Sequence, residues 1–344
     1  MGIRIVVDSS ADLIPQVRER VVVVPLTVHF GDREFIDGVD ITGCRFYEML
    51  ETAKVLPTTS QASPYAFSAA FGQAVADGDE VIAIAVSSKL SGTYQSALIA
   101  AEDYPGQVHV VDSRNIAIGA AILTAYALRL VDEGRSASEI VAILQQQRER
   151  VRLMAVVDTL EYLQRGGRLS KTAAIAGGIL SIKPVIGLVD GEIKVLAKGR
   201  GNKQANMLMN QEICKAGIDE TMPAMLGYTG TCDELLHKYR QESENLWSDD
   251  VPESVVCGVV GTHAGPGAVA VAFFTKWIGN MTRSLKLSTT RPSSNTLQSP
   301  VSIRYSSLYP AVRAASSRAL RPTGAHPRPY FRIVSSSSPL LRKY

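Results

Sequence analysis

No acidic residue follows Glu253 in this 344-residue chain, and no two cysteines are spaced C-x-x-C. The missing cysteine pair removes zinc-finger and dithiol redox chemistry. The four cysteines, Cys44, Cys214, Cys232 and Cys257, read as reduced thiols of a cytosolic protein. No metal or cofactor motif is visible. The longest apolar run, Ile116 to Leu128, has 13 residues and contains Thr124, too short to cross a bilayer. No G-x-x-x-x-G-K-S/T loop is present, so autonomous ATP use is not expected. The G-x-S-x-G elbow of many serine hydrolases is also missing, as is any internal repeat. The N-terminus shows no signal peptide, because Ile3 to Val7 already reads as a strand. A cytoplasmic location is the expectation.

Charge is divided along the chain. Residues 1–275 hold 24 Lys or Arg against all 33 Asp and Glu, a net −9, while residues 276–344 hold 12 Lys or Arg and no acid. An acidic body argues against generic nucleic-acid binding by the folded part. Inside it, Arg165 to Lys203 has eight Lys or Arg against Asp190 and Glu192. This segment reads either as scattered solvated charge or as a dock for phosphate, an acidic partner or a membrane surface. The last 69 residues contain 14 Ser and no clear periodicity. They read as a basic Ser/Arg/Pro-rich disordered tail, a fused extension or a reading-frame artefact.

Strands and helices alternate in the first half. Ile3–Val7, Val81–Val86 and Val108–Val111 are apolar runs suited to buried parallel strands. Ser63-Pro64 predicts an N-cap and N1 residue for a helix to about Val75. Further helices are expected from Gly92 to about Glu102 and from Asn115 to Val131. A third, over 137–150, would be opened by a Ser136/Glu139 capping box. The second half predicts a strand at Leu153–Val157 and a helix ending near Gln164. A hairpin should turn at Asp190-Gly191, and a helix should open at Thr231/Glu234. Strands Ser254–Val260 and Ala268–Phe274 are expected to flank a loop bearing His263. The fold class is therefore α/β: a Rossmann-like parallel-sheet domain over residues 1–152 and an α+β domain over 153–275, followed by the tail 276–344.

Three segments suit an anion held by neutral donors: Pro57-Thr58-Thr59-Ser60-Gln61, Leu90-Ser91-Gly92-Thr93-Tyr94 and Gly261-Thr262-His263-Ala264-Gly265-Pro266-Gly267. Ser91 reads as an N-cap or as a ligand hydroxyl beside a helix N-terminus, and Gly92 permits close backbone approach. Asp8, ending the first strand, reads as an Asx-type support for the Ser9–Ser10 turn, since a carboxylate would repel an anionic ligand. His263 is either structural or projected into a cleft.

Together with Asp8-Ser9-Ser10-Ala11-Asp12-Leu13, these segments resemble the DegV family of bacterial fatty-acid-binding proteins, from residue 3 to about residue 274. Ala62 departs from the family, where Pro is common. The resemblance implies that Thr59 and Ser91 hold a fatty-acid carboxylate, with His263 beside the head group. Ser60 and Gly92 would support the loops, and Arg165-Gly166-Gly167-Arg168-Leu169-Ser170-Lys171 would be the family's basic segment, with Arg168 near the ligand. It further implies a non-catalytic binding subunit that presents a long-chain acyl carboxylate to a separate fatty acid kinase. Transient membrane contact and no specific nucleic-acid partner go with that reading. The alternatives are a serine hydrolase using Ser91, His263 and an acid such as Asp8, or a regulatory protein acting through its basic tail.

Overall fold

The structure, a computed structural model, describes residues 2–169, 181–243 and 246–276. Ser170, Lys171 and all but the first residue of the basic tail lie outside them. The first elements are β1 (Ile3–Asp8), α1 (Pro15–Arg18), β2 (Val22–Val24), β3 (Thr27–Phe30), β4 (Arg33–Ile36), α2 (Gly43–Thr52) and β5 (Thr58–Ser60). There follow α3 (Pro64–Ala76), β6 (Glu80–Ala85), α4 (Thr93–Ala101), β7 (Val108–Asp112), α5 (Ala117–Asp132) and α6 (Ala137–Gln147). The remainder comprises β8 (Val151–Val156), α7 (Glu161–Arg165), β9 (Ile182–Val189), β10 (Glu192–Arg200), α8 (Gly201–Ala216), β11 (Met225–Tyr228), α9 (Glu234–Glu242), β12 (Glu253–Val255), α10 (Gly258–Ala264) and β13 (Val269–Phe274).

Among the described residues the strands form three sheets. One is parallel, in the order β2-β1-β6-β7. A small antiparallel sheet runs β4-β3-β5, and a mixed sheet runs β10-β9-β8-β13-β11-β12. This is the expected α/β class. The local signals behind several elements are present in the structure. Ser63 accepts the Ala66 N–H with Pro64 at N1, and Ser136 and Glu139 form a complete capping box. Asp190 and Gly191 both take positive φ, 53° and 79°, at the hairpin tip, as a type I′ turn requires. The tip is tied down where the Ser87 hydroxyl donates to the Gly191 carbonyl at 2.8 Å.

Helix α5 is buried along almost its whole length, as its apolar sequence demands. It packs on β1 and β6 of the parallel sheet and on β8, β11 and β13 of the mixed one. The mixed sheet divides its side chains by the period-2 rule. Met154, Val156, Val269, Val271 and Phe273 pack with α8 and α9 through Met209, Ile213, Leu236 and Tyr239. Leu153, Ala155, Ala268 and Ala270 point the other way. The end of β13 is fastened on both sides. The Thr275 N–H donates to the Arg150 carbonyl at 2.9 Å, the Lys276 N–H to that of Gly217 at 3.1 Å and the Asp219 N–H to that of Phe274 at 2.8 Å.

Two expectations are corrected. His263 does not lie in a loop between strands: strand β12 stops at Val255, and residues 258–264 are helical. The β-branched run through Val259-Val260 reads as strand, but packing overrides propensity. Gly258 and Gly261 let the helix seat on Phe46 and Tyr47, where a Cβ at either position would press into those rings. Gly265, at φ 72°, then ends the helix as only glycine does easily. Thr231 does not cap α9 either. Asp233 occupies the N-cap without a side-chain bond to the helix amides, its carboxylate lying 3.1 Å from His237 Nε2, and Thr231 turns instead toward Glu51 at 3.5 Å. Elements with no counterpart in the sequence reading include β2 to β5, α2, α8 and β11.

Candidate functional site

A cavity of about 400 Å³ lies where the carboxyl ends of the parallel strands meet the small-residue face of the mixed sheet. Most of its wall is apolar: Leu26, Ile116, Leu153, Ile186, Leu188 and Val259 contribute, with Ala155 and Ala270 as its floor. Ala155 and Ala270 are register partners across β8 and β13, so two methyl groups stand where larger side chains would fill the space.

The polar end is assembled from four separate elements. Thr59 comes from β5, Ser91 and Gly92 from the start of α4, Arg168 from the turn after α7 and His263 from the last turn of α10. All five border the cavity, as do Ser10, Ser60 and Gln61. Asp8 does not border it. Its carboxylate is buried and accepts the Ser10 N–H at 3.1 Å, the Ser10 hydroxyl, and the Val86 N–H at 2.7 Å. Desolvation raises the Asp8 pKa against these bonds. Its geometry is that of a loop brace.

Thr59 Oγ1 and His263 Nε2 are 3.0 Å apart. Burial first, then the neighbouring Arg168 guanidinium, pushes the His263 imidazole down to about 4. The ring is therefore neutral near pH 7. Its Nδ1 is buried without a partner, facing Gly166, where any Cβ would collide with it. An orphaned lone pair is better tolerated than an orphaned N–H. We therefore assign the proton to Nε2, which donates to Thr59 and leaves the threonine O–H free to donate into the cavity. Ser91 Oγ accepts the Thr93 N–H at 3.2 Å and lies 2.9 Å from Thr93 Oγ1. Arg168 Nε donates to the Leu90 carbonyl at 3.2 Å and Nη1 to that of Gly166 at 2.6 Å. Both acceptors are neutral, and among the described residues no carboxylate pairs with Arg168, which borders the cavity.

A hydrolase triad is not what these partners make. Ser91 is bonded to Thr93, His263 to Thr59, and Asp8 to its own loop and Val86. Sequence reasoning named Ser10 only as part of the turn after the first strand, and overlooked the alanine floor. The alternation Ala268-Val269-Ala270-Val271-Ala272 carried that second signal, one face small and the other branched. Gln61 stood inside a recognised segment. Its Nε2 donates to Ser96 at 3.0 Å, and its side chain lies where a Cβ on Gly92 would be. Among the described residues no group of His, Cys, Asp and Glu is arranged to hold a metal, and no helix is long and apolar enough to cross a membrane.

A DegV domain-containing protein of Caldanaerobacter subterraneus subsp. tengcongensis is 39% identical over 279 residues, covering 80% of this chain and 99% of the relative. Among solved structures, a DegV family protein from Thermus thermophilus, described for its fatty-acid binding, is similar with a TM-score of 0.73 and 31% identity over 80% of this chain and all of that one. A stearic-acid-binding protein from Eubacterium ventriosum gives a TM-score of 0.69 at 28% identity, over 80% of this chain and 99% of its own. The family described as "Uncharacterised protein, DegV family" matches residues 2–276, and the chain belongs to it.

Proposed function

We propose that this protein binds a long-chain fatty acid in the cavity and presents its carboxylate to a partner kinase for acyl-phosphate formation. The observation that carries the reading is the asymmetry of the cavity: one end collects neutral donors and Arg168, and most of the remaining wall is apolar. Its volume of about 400 Å³ lies within the range of small-molecule sites. The fatty acids named for the Thermus and Eubacterium proteins support the same ligand class. In this reading residues 1–152 and 153–275 are two domains, the first supplying Thr59 and Ser91 and the second the alanine floor, Arg168 and His263.

Burying a carboxylate without donors is very unfavourable. Thr59, Ser91 and the free N–H groups at the start of α4 offset that penalty without holding a fixed acid in the site. The chain supplies affinity: at ~0.8 kcal/mol per CH₂, about fourteen methylenes contribute on the order of 11 kcal/mol before ordering costs. The protein then acts as a carrier subunit with no catalysis of its own, working in the cytoplasm with transient membrane contact for loading. Phosphoryl transfer by a separate kinase fits the absence of a phosphate loop from the sequence, and this reading assigns the head group to the part of the cavity that Arg168 and His263 border.

Native mass spectrometry with lipid extraction tests the ligand. An equimolar fatty acid supports the reading, and a protein that neither copurifies with nor takes up palmitate overturns it. With a cognate kinase, Arg168→Ala should keep most lipid binding and lose acyl-phosphate formation. Full transfer by that variant removes the assignment of Arg168.

A further inference from the structure

The N-terminal run Asp8-Ser9-Ser10-Ala11-Asp12-Leu13 contains a second acid that the cavity does not use. Asp12 is 5% exposed, and Asp37, just past β4, is 2% exposed. Both meet the start of α10. Asp12 Oδ1 accepts the Cys257 N–H at 2.8 Å, and Asp37 Oδ1 accepts the Gly258 N–H at 3.2 Å. The first amides of the helix are thus held by two different carboxyl groups. The second oxygen of each is buried with no well-aligned hydrogen bond among the described residues, and the groups close enough to act on the pair are the Cys257 thiol and, at Asp37, the Ser9 hydroxyl. The hydroxyl of the fully buried Tyr47, which lies against Gly261 one turn along the same helix, likewise has no such bond. Among the described residues neither carboxyl forms an ion pair, and no cation is among the causes that shift either one. Two adjacent buried negative charges without a cation are strongly unfavourable, and holding one proton between them relieves this.

We propose that Asp12 and Asp37 hold a single proton at neutral pH and act as a positioning pair, fixing the start of α10 and thereby the placement of His263 against Thr59. Its effect on lipid affinity rests on the reading of the cavity given above, whereas the protonation itself does not. Helix α10 has seven residues, and its Gly258 and Gly261 are seated on Phe46 and Tyr47. So short and closely packed a segment passes a shift at its first turn to its last.

Burial pushes Asp12 up to about 8, with the Asp37 charge adding to it, and burial pushes Asp37 up to about 6. Between those values the pair carries one proton. Tyr47 and Cys257 face it and are themselves pushed up by burial, with Cys44 beyond them on α2. From the other elements packed on α10 come His29 of β3 and Tyr162 and Arg165 of α7, with Arg168 at the His263 end. The Arg18 guanidinium passes Gly38, next in sequence to Asp37. Both folded carboxyl pKa values are raised, so the pair's stabilisation is present at low pH and lost as pH rises through about 6 and then about 8. Above that, two charges repel across the helix start.

The test combines infrared difference spectra of the protein alone with binding of a fluorescent long-chain fatty acid, both from pH 7 to 9.5. Wild type should lose one buried protonated-carboxyl band, and its dissociation constant should rise about tenfold, the change of one pKa unit of linkage. Asp12→Asn keeps an oxygen for the Cys257 N–H and a fixed hydrogen toward Asp37. It should bind the probe at pH 7, lack the band and show a flat profile, while Asp12→Ala should bind weakly throughout. Absence of the band in wild type, or superposable profiles for wild type and Asp12→Asn, overturns the proposal. If Asp12→Asn fails to fold, the wild-type band and pH-dependent hydrogen exchange of the Cys257 and Gly258 amides decide it. If wild type never binds the probe, the lipid reading fails, and the same band and amides still judge the pair.

Discussion

At its last turn α10 presents a neutral ring, bonded to Thr59 and bordering the cavity, whereas its first turn receives two carboxyls sealed from solvent. Both ends are desolvated, yet burial acts on them in opposite senses. It lowers the histidine to about 4 and raises the carboxyls to about 6 and 8, in each case favouring the uncharged form. The difference lies in what each end leaves unfilled. The acid end has its amides satisfied from within the chain. The histidine end leaves the Thr59 hydroxyl beside a cavity that Arg168 also borders, and in the proposed function an external anion completes that set.

The strongest challenge to this contrast is removal of the donors. Thr59→Ala and Ser91→Ala should each weaken palmitate binding by about 1–3 kcal/mol, the range for leaving a charged acceptor short of a donor. Unchanged affinity in the double variant, measured by isothermal titration, would mean that the carboxylate lies elsewhere. Next comes the wall that neither end of α10 controls. Ala270→Leu puts a side chain into the floor opposite Ala155. It should discriminate against sixteen-carbon acids in favour of shorter ones, with an overpacking penalty of about 1–3 kcal/mol if the cavity does not accept it. Competition between chain lengths would read this out, and identical selectivity would move the floor away from β13.

A pH-resolved measurement sharpens the histidine side. The folded ring stays neutral down to about 4, whereas an unfolded histidine protonates below about 6.5. The unfolded chain therefore takes up the proton first, and stability falls with falling pH across that window by up to about 1.4 kcal/mol per unit. The raised carboxyls slope the other way, so the quantity to follow is the difference between wild type and His263→Gln in urea midpoints from pH 6.5 to 4. A constant difference would show that the ring is solvated. The smallest expected effect is none. Family similarity ends at residue 276 and β13 at Phe274, so removing residues 277–344 should leave the melting temperature and bound lipid unchanged. A drop of many degrees would mean that residues beyond 276 contribute to the stability of the body.

Local signals carried the sequence reading furthest. Ser63-Pro64, Ser136 with Glu139, and Asp190-Gly191 each act within a few residues, and each marks an element end in the structure. Apolar runs without alternation marked the buried parallel strands. Residues 258–264 failed because their helicity depends on Phe46 and Tyr47, more than 200 positions away in sequence, which no window can include. The site divides the same way. Thr59 and Ser91 were legible beside expected helix starts, His263 in a Gly-rich segment and Arg168 in a basic one. Their roles came from the family resemblance, and all four border one cavity. Asp37 gave no signal at all, since only the folded chain brings it to Asp12 and Gly258. Arg168 was read as part of a basic segment, but its tethers to the Leu90 and Gly166 carbonyls are tertiary.

The fastened end of β13 also has a mechanical meaning. This strand is interior, with antiparallel ladders to β8 on one side and β11 on the other. Beyond it, Thr275 and Lys276 are bonded to Arg150 and Gly217 on separate segments. A pull applied at residue 276 therefore runs along the strand axis and loads both ladders in shear, all bonds together, instead of peeling them one by one. Residue 276 is in that sense an anchorage, and a tether, surface linker or reporter domain joined there would hang from a strand held on both sides.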